Sequence, residues 1–283
     1  MPKSLNAAAK ESLPFGRLLR FWRETFELSQ EQLALAVDSS TRHINRLENS
    51  HVHPSLDMVG KIIETLSLRE RDGNYLLLAA GYRPQVRKMD FKSPNLKWLR
   101  KAMILSLKAL NPYPSMLMDG ACNVLMVNRA WLGLFQQSIP DEKLKNINNY
   151  IDLFFEYMAT EVDSEDWADA QALMAMWLQQ EVILNNEDES RRRLTRVTSL
   201  PQVPENWKRR AASVDPLASF RVKLEFNGQP TYFYSVVQTV GSVGTAAYVS
   251  EPRLSICTYY PVDDIDISSL VENDLAHPLL QEL

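Results

Sequence analysis

Residues 28–66 read LSQEQLALAVDSSTRHINRLENSHVHPSLDMVGKIIETL, and this stretch decides the fold of the N-terminal third. Ser29 with Gln32 three residues later forms a capping-box pattern, which predicts a helix starting at Gln30. Leu33 and Val37 lie four residues apart and so share one inward face of that helix. Ala34 is small where a second helix has to approach closely. Asp38-Ser39-Ser40 breaks the helix, and aspartate tolerates the left-handed backbone better than most residues. Ser40 then caps a second short helix, Thr41 to Glu48, whose inward residues are Ile44 and Leu47.

Helix, tight turn and helix, with a small residue before the turn and a β-branched anchor after it, is a helix-turn-helix. The outward face of its second helix carries Thr41, Arg42, His43, Asn45 and Arg46, with no acid before Glu48. Arginine bonds bidentately to guanine edges, asparagine to adenine, and a threonine methyl meets that of thymine. A recognition helix reads bases through its N-terminal residues, which puts Thr41 and Arg42 first and leaves Arg46 for a base or a phosphate. A solvated basic face is the plain alternative, and the complete helix frame weighs against it. His43, His51 and His53 have no cysteine nearby, so phosphate or solvent contact is a better reading than metal binding. Ser67 and Glu70 are expected to form a further capping box opening the last helix, which Gly81 closes.

Residues 15–66 resemble the DNA-binding domains of the XRE/Cro–C1 repressor class, a five-helix all-α fold. The matching residues are Leu28-Ser29-Gln30, Leu33-Ala34, Ser40, Ile44, Arg46-Leu47-Glu48-Asn49 and Pro54-Ser55-Leu56. The resemblance implies that Gln30 and the residues from Asn49 to His53 touch phosphates, while Thr41, Arg42 and Arg46 face base edges. The candidate DNA-contacting set is therefore Gln30, Ser40, Thr41, Arg42, His43, Asn45, Arg46 and Asn49. Asp38 and Ser50 stand where the class usually has glycine, at positions that tend to require positive φ.

Outward from this motif, the chain has 283 residues, enough for about two domains. Nine glycines against fifteen prolines argue against a glycine-rich nucleotide-binding architecture. The net charge of −4 hides a basic front and an acidic back: residues 1–110 carry 18 Lys+Arg and 11 Asp+Glu, the rest 13 and 24. Residues 1–85 are nearly balanced, at 11 against 10, and the excess sits in residues 86–110, where seven positive side chains face one acid. DNA recognition thus depends on the placement of particular side chains, with the basic linker adding a phosphate grip. Cys122 and Cys257 are too few for a disulfide framework or a zinc site and are expected to pack as small hydrophobes. No apolar run of about 18 residues occurs, so no membrane span is expected and a cytoplasmic location with reduced thiols is the default.

Residues 83–95, RPQVRKMDFKSPN, have linker composition, and Leu96–Leu110 is a basic, partly apolar segment stopped by Asn111-Pro112-Tyr113-Pro114. Beyond it the pattern changes. PSMLMD and CNVLMVN flank an Asp119-Gly120 turn signal, three helical stretches follow near 149–159, 164–185 and 187–199, and FRVKLEF, Asn227-Gly228, PTYFYSVVQTV and PRLSICTYY form a strand series. The back half reads as one α+β domain with an antiparallel sheet. The expected map is a helix-turn-helix domain at 12–82, a linker and connecting helix at 83–110, an α+β domain at 111–267 and a C-terminal tail at 268–283.

Residues 111–135, with Pro-Tyr-Pro, two apolar strands around a turn, and Asn-Arg-Ala, are similar to the MmyB-type ligand-binding domain, as is the segment from Leu224 to Pro261. That family joins an XRE-type head to a PAS-like sensor domain. The resemblance implies a transcription regulator whose back domain binds a small apolar molecule, with fatty acids as one class. Six of the ten methionines fall between 116 and 176, and methionine suits adaptable binding surfaces. Candidate lining residues are Met116, Met118, Leu125, Phe154, Met158 and Trp177, although simple core packing accounts for any one of them.

The basic runs Arg191-Arg192-Arg193 with Arg196, and Lys208-Arg209-Arg210, read as a solvated helix face answering Glu187, Asp188 and Glu189 before they read as a carboxylate-binding site. There is no Gly-x-Ser-x-Gly elbow, phosphate loop or His-Glu-x-x-His pattern, and His277 is the only histidine after residue 53. The sequence thus points away from an enzyme, a metal or a haem cofactor. It points to a homodimer binding a double-stranded operator through paired half-sites. The competing reading makes the back domain a protein-interaction or dimerisation module with no small-molecule ligand.

Overall fold

The computed structural model describes residues 14–84, 90–158, 165–185, 187–214, 221–241 and 253–281. Their cores form two compact units that divide near residue 89. The first is all-α, with five helices: α1 (Phe15–Thr25), α2 (Gln30–Ala36), α3 (Thr41–Glu48), α4 (Leu56–Thr65) and α5 (Glu70–Ala79). Its core is the inward set expected from the sequence: Leu33, Ala34, Val37, Ile44 and Leu47, joined by Phe15, Leu19, Val59, Ile62 and Leu76. Each fully buried aliphatic side chain contributes about 1.5–3 kcal/mol relative to an exposed one. Gly16 lets α1 cross α3 closely, since a Cβ there would lie 2.5 Å from the carbonyl oxygens of Leu47 and Glu48.

Every helix of this unit ends in the same way. Glu27, Asp38, Ser50, Ser67 and Gly81 each follow the last turn with positive φ, between 47° and 76°. Their N–H groups and those of the next residues bond back to carbonyls of the final turn, as in Leu28 N to Arg23 O at 3.0 Å and His51 N to Arg46 O at 2.8 Å. Four of the five positions hold side chains that disfavour this backbone. Asp38 and Ser50 thus adopt the glycine-like conformation expected of them. Ser67 is the exception to expectation: it terminates α4 and does not cap α5, whose N-cap is Arg69 with no side-chain bond. With its backbone left-handed and its N–H given to Glu64 O, Ser67 belongs to the preceding helix.

The second unit is α+β. A 3₁₀ turn leads into α6 (Lys97–Ala109), then β1 (Ser115–Asp119), β2 (Val124–Val127), α7 (Arg129–Phe135), α8 (Asp141–Leu144), α9 (Tyr150–Tyr157), α10 (Glu165–Asn185), α11 (Asp188–Thr198), α12 (Trp207–Ser213), β3 (Arg221–Phe226), β4 (Gln229–Val240) and β5 (Leu254–Pro261). The five strands make one antiparallel sheet in the order β2-β1-β5-β4-β3, the PAS-like α+β class that the resemblance implied. Asn227 and Gly228, at φ 53° and 72°, form the two-residue β3–β4 hairpin turn. The β1–β2 turn is wider than Asp119-Gly120, with Cys122 carrying the positive φ and Asp119 Oδ1 accepting from Ala121 N and Asn123 N. Most of the connection between PTYFYSVVQTV and PRLSICTYY lies outside the described residues.

Alternation along the strands sends side chains to two cores. Met116, Met118, Val124, Cys257, Tyr259 and Phe233 meet α7, α9 and α10 on one face. Leu117, Met126, Leu254 and Ile256 meet Met103 and Leu107 of α6 on the other. The expected connecting helix is therefore built into this unit: its apolar stripe covers a sheet face that would otherwise meet water. Residues 268–281 are not a free tail either. Leu270 is buried, Leu275, Leu279 and Leu280 pack on the main core, and Val127 N donates to Leu279 O at 3.0 Å. Gly133 admits this segment, because a Cβ there would stand 2.0 Å from Leu270 O.

Candidate functional site: a DNA-facing helix and a ligand domain

The N-terminal site is α3. Ser29 Oγ accepts from Gln32 N at 3.0 Å while Gln32 Oε1 accepts from Ser29 N at 2.7 Å, completing the capping box of α2. Ser40 Oγ accepts from His43 N at 3.2 Å and caps α3, so its hydroxyl has a structural task. Ile44 and Leu47 are buried and hold α3 in place, while Thr41, Arg42, Asn45 and Arg46 are exposed and His43 is half-buried. Arg42 and Arg46 form no ion pair or side-chain hydrogen bond among the described residues, which leaves both forks available to a nucleic acid.

The other expected contacts are tied to one buried acid. The Glu48 side chain, at the end of α3, is 0% exposed and accepts from Arg23 Nε at 2.5 Å, Arg23 Nη2 at 3.1 Å, Arg20 Nε at 3.3 Å and Gln30 Nε2 at 2.8 Å. Burial pushes its carboxyl up, but the bonds from Arg23, Gln30 and Arg20 and the charge of Arg23 outweigh that and hold it below the usual carboxylate range. Gln30 Oε1 in turn accepts from Asn45 Nδ2 at 3.3 Å, and Asn49 accepts from Arg20 at 3.0 Å while donating to Asn45. Gln30, Asn45 and Asn49 thus belong to a belt joining α1, α2 and α3. The sequence carried one unread signal of it: an acid closing an otherwise basic helix, with two arginines three apart on α1.

The histidines do not assemble. His53 Nδ1 lies 2.8 Å from Pro54 O and its ring packs edge-on to Tyr82 at 5.7 Å. No metal-ligating cluster is present among the described residues.

In the second unit, Met116, Met118, Phe154 and Met158 do come together, buried in the main core, where Phe154 packs on Trp167 at 4.8 Å. Trp177 is half-buried beside them. Leu125 is on the opposite face with α6, beside its neighbour Met126, because a register shift between Leu117 and Met118 leaves Leu125 as the extra, unpaired residue of β2. Tyr150, Cys257 and Tyr259 are buried together, and Tyr259 Oη lies 3.9 Å from Met158 Sδ. Burial pushes both thiols, Cys122 and Cys257, up to about 12, which keeps them protonated and unreactive.

Elsewhere among the described residues are two cavities of note. One, of about 380 Å³, is a cleft between α6, β2 and the Leu280 segment. The other, of about 420 Å³, is an open depression bordered by Tyr113, Tyr234 and Tyr260 and by Asp263, Asp264 and Asp266.

Within the basic runs, Arg193, Arg196 and Arg210 pair with acids of other helices. Arg193 reaches Asp152 at 3.1 Å and Glu189 at 3.1 Å, Arg196 bonds Asp152 and Glu156, and Arg210 meets Asp169 at 2.5 Å. Arg191, 4.0 Å from Asp188, and Arg193, through its Glu189 contact, use the acids just before them.

A search of curated proteins finds no match to the chain. Two family descriptions do match it: residues 19–72 match a helix-turn-helix family, and residues 99–264, more than half of the chain, match the MmyB-like transcription regulator ligand binding domain. No helix among the described residues is long and apolar enough to cross a membrane. With a recognition-type helix in the first unit and a five-stranded α+β second unit, the chain belongs to the MmyB-like transcription regulator family, as a DNA-binding regulator carrying a ligand-binding domain.

Proposed function

We propose that this regulator binds a double-stranded operator through Thr41, Arg42 and Arg46 and that a small apolar molecule, a fatty acid being the favoured class, changes its operator affinity from the second unit. The observation that carries the reading is the state of α3. Its two arginines are exposed and unpaired among the described residues, on a helix fixed from beneath by Ile44, Leu47 and Glu48. Preorganised donors of this kind suit base readout, while Gln30 and Asn49 at the edge of the belt suit phosphates. His43 borders the same face. A homodimer on paired half-sites is part of the proposal. The second unit acts in it as a sensor and not as an enzyme, and a cytoplasmic location follows from that role.

The decisive experiment measures operator binding by fluorescence anisotropy at fixed salt, with and without a saturating fatty acid identified by native mass spectrometry of the purified chain. A shift in operator affinity supports the switch, and identical affinities for loaded and stripped protein remove it. A second reading treats the back unit as an interaction or dimerisation module. It draws on α6, where Trp98 and Leu105, seven residues apart, are 74% and 49% exposed. Sedimentation of Trp98→Ala against the parent chain tests that reading directly.

A further inference from the structure

We propose that the open depression at the end of β5, walled by Tyr113, Tyr234 and Tyr260, binds the guanidinium head of a small molecule. The site is separate from the apolar-ligand reading above and stands or falls without it. At about 420 Å³ the depression falls within the ordinary size of small-molecule sites. Its tyrosines come from three places in the chain: the turn after α6, β4 and β5. The Tyr260 ring meets both of the others, lying 4.8 Å from that of Tyr113 and 5.5 Å from that of Tyr234, on which it stacks at 28°.

Strand alternation opens these rings to a ligand. Ile256 packs under α6, so Tyr260, four residues on, points to the same side of the sheet. The helix ends at Ala109, and at this end of the sheet Tyr113 and Tyr234 are 38% and 40% exposed. A cross-strand stack accounts for Tyr234 beside Tyr260, which are register partners, and stabilises the sheet by itself. It does not account for Tyr113, which comes from a turn, or for the acids that border the rings. The wall is also held in place. Asn128 Nδ2 and Ser115 Oγ each donate to Tyr113 O at 2.9 Å, and Val262 N donates to Tyr232 O at 2.9 Å, continuing the ladder past Pro261.

The chemistry of the rim chooses the ligand. Residues 260–268, which form most of the border, carry Asp263, Asp264 and Asp266 and no lysine, arginine or histidine. The Ser268 side chain and backbone N–H both bond Asp266, the latter at 2.9 Å, and hold its carboxyl below the usual range, so it stays charged at neutral pH. A guanidinium answers both halves of this site. It is planar and weakly hydrated, so it stacks on a tyrosine face, and its fork of donors fits a carboxylate. The same strand already shows the first of these contacts: Arg221 Cζ lies 5.1 Å from the centre of the Tyr232 ring, two residues before Tyr234 on β4. A compact ammonium holds its water more tightly, and an anion would meet the three carboxylates.

The test titrates the full chain with butylguanidinium at fixed salt by calorimetry, with butylurea as the uncharged counterpart of the same shape. Butylguanidinium is expected to saturate a single site, and butylurea to bind about tenfold more weakly. Asp263→Asn combined with Asp264→Asn keeps side-chain size and is expected to weaken butylguanidinium about tenfold. Tyr234→Thr, at an exposed strand position that suits threonine, is expected to weaken it about three- to fivefold. On the unsubstituted chain with isotope-labelled tyrosine, butylguanidinium should shift the ring resonances of Tyr113, Tyr234 and Tyr260, three of the ten tyrosines, a readout that does not depend on any variant folding. Failure of butylguanidinium to bind, equal binding of the two probes, affinity unchanged in both variants, or shifts confined to other tyrosines overturns the site. Tighter binding of N-acetylarginine amide than of butylguanidinium overturns the small-molecule assignment, because it places an arginine side chain of a protein in the depression.

Discussion

Arg23 of α1 grips Glu48 of α3 with two hydrogen bonds, at 2.5 and 3.1 Å, and the Glu48 side chain is wholly buried. A buried ion pair of this kind has paid its desolvation cost, and removing one member leaves the other charged and unanswered. Glu48→Gln is therefore expected to destabilise the first unit by about 3–5 kcal/mol, read as a drop in its thermal midpoint. The same carboxyl sets a pH dependence. Its pKa is lowered in the folded state, so its stabilisation is full above the ordinary value of 4.5 and is lost as pH falls through the lower folded value. Acid titration of the parent chain followed by circular dichroism should show this loss, and Glu48→Gln should lack it.

The four left-handed helix ends without glycine predict gains. Glu27 and Ser67 close α1 and α4 at φ 55° and 47°, away from the recognition helix. Replacing a non-glycine residue there by glycine relieves a backbone cost that exceeds the entropy glycine adds to the unfolded chain. Glu27→Gly and Ser67→Gly should each stabilise by about 0.5–1 kcal/mol, as a higher urea midpoint at constant slope. A lower midpoint in either would mean that the side chain contributes more than its backbone costs.

Arg42 and Arg46 differ in what they should report. Arg42→Ala is expected to cost about 1–3 kcal/mol on the operator and to flatten the preference over random DNA, because it removes a base contact at the N-terminal end of α3. Equal losses on both DNAs would place Arg42 on phosphate. Gln30→Ala should lower DNA affinity and stability together, since its side chain joins Glu48 and Asn45.

His277 makes the C-terminal segment sensitive to mild acid. Its Nδ1 accepts from Leu279 N at 3.1 Å and its Nε2 faces Leu144 O at 3.2 Å, an arrangement only the neutral ring satisfies. Burial pushes its pKa down from 6.5, the Leu144 carbonyl opposes that, and Lys145 adds to it. With the folded pKa below the unfolded one, the unfolded chain takes up the proton first. Stability of the second unit should then fall as pH drops below 6.5 and continue to fall until the folded value is passed. Thermal midpoints of the parent and His277→Gln between pH 8 and 5 measure it, with the variant expected to give the flatter profile.

The helices of the first unit were legible because their information is local. Ser29 with Gln32, Ser40 before Thr41, and the spacing of Leu33, Val37, Ile44 and Leu47 state cap, turn and inward face within one helical turn of each other. Asn227-Gly228 likewise announced its hairpin, because a two-residue turn with positive φ tolerates few other residues. Only the tertiary structure decided how distant residues divide a shared chemistry. It gave Gln30, Asn45 and Asn49 to the Glu48 belt and left Arg42 and Arg46 free, a choice made by burial of an acid 25 residues from its partner arginine. A register shift in the β1–β2 pair decided that Leu125 faces away from Met116 and Phe154. The stretch that fixed the DNA-binding fold could be read from its own spacing, whereas the cleft beneath α6 arises only when Ile104, Met126 and Leu280 are brought together, and no local pattern encodes that meeting.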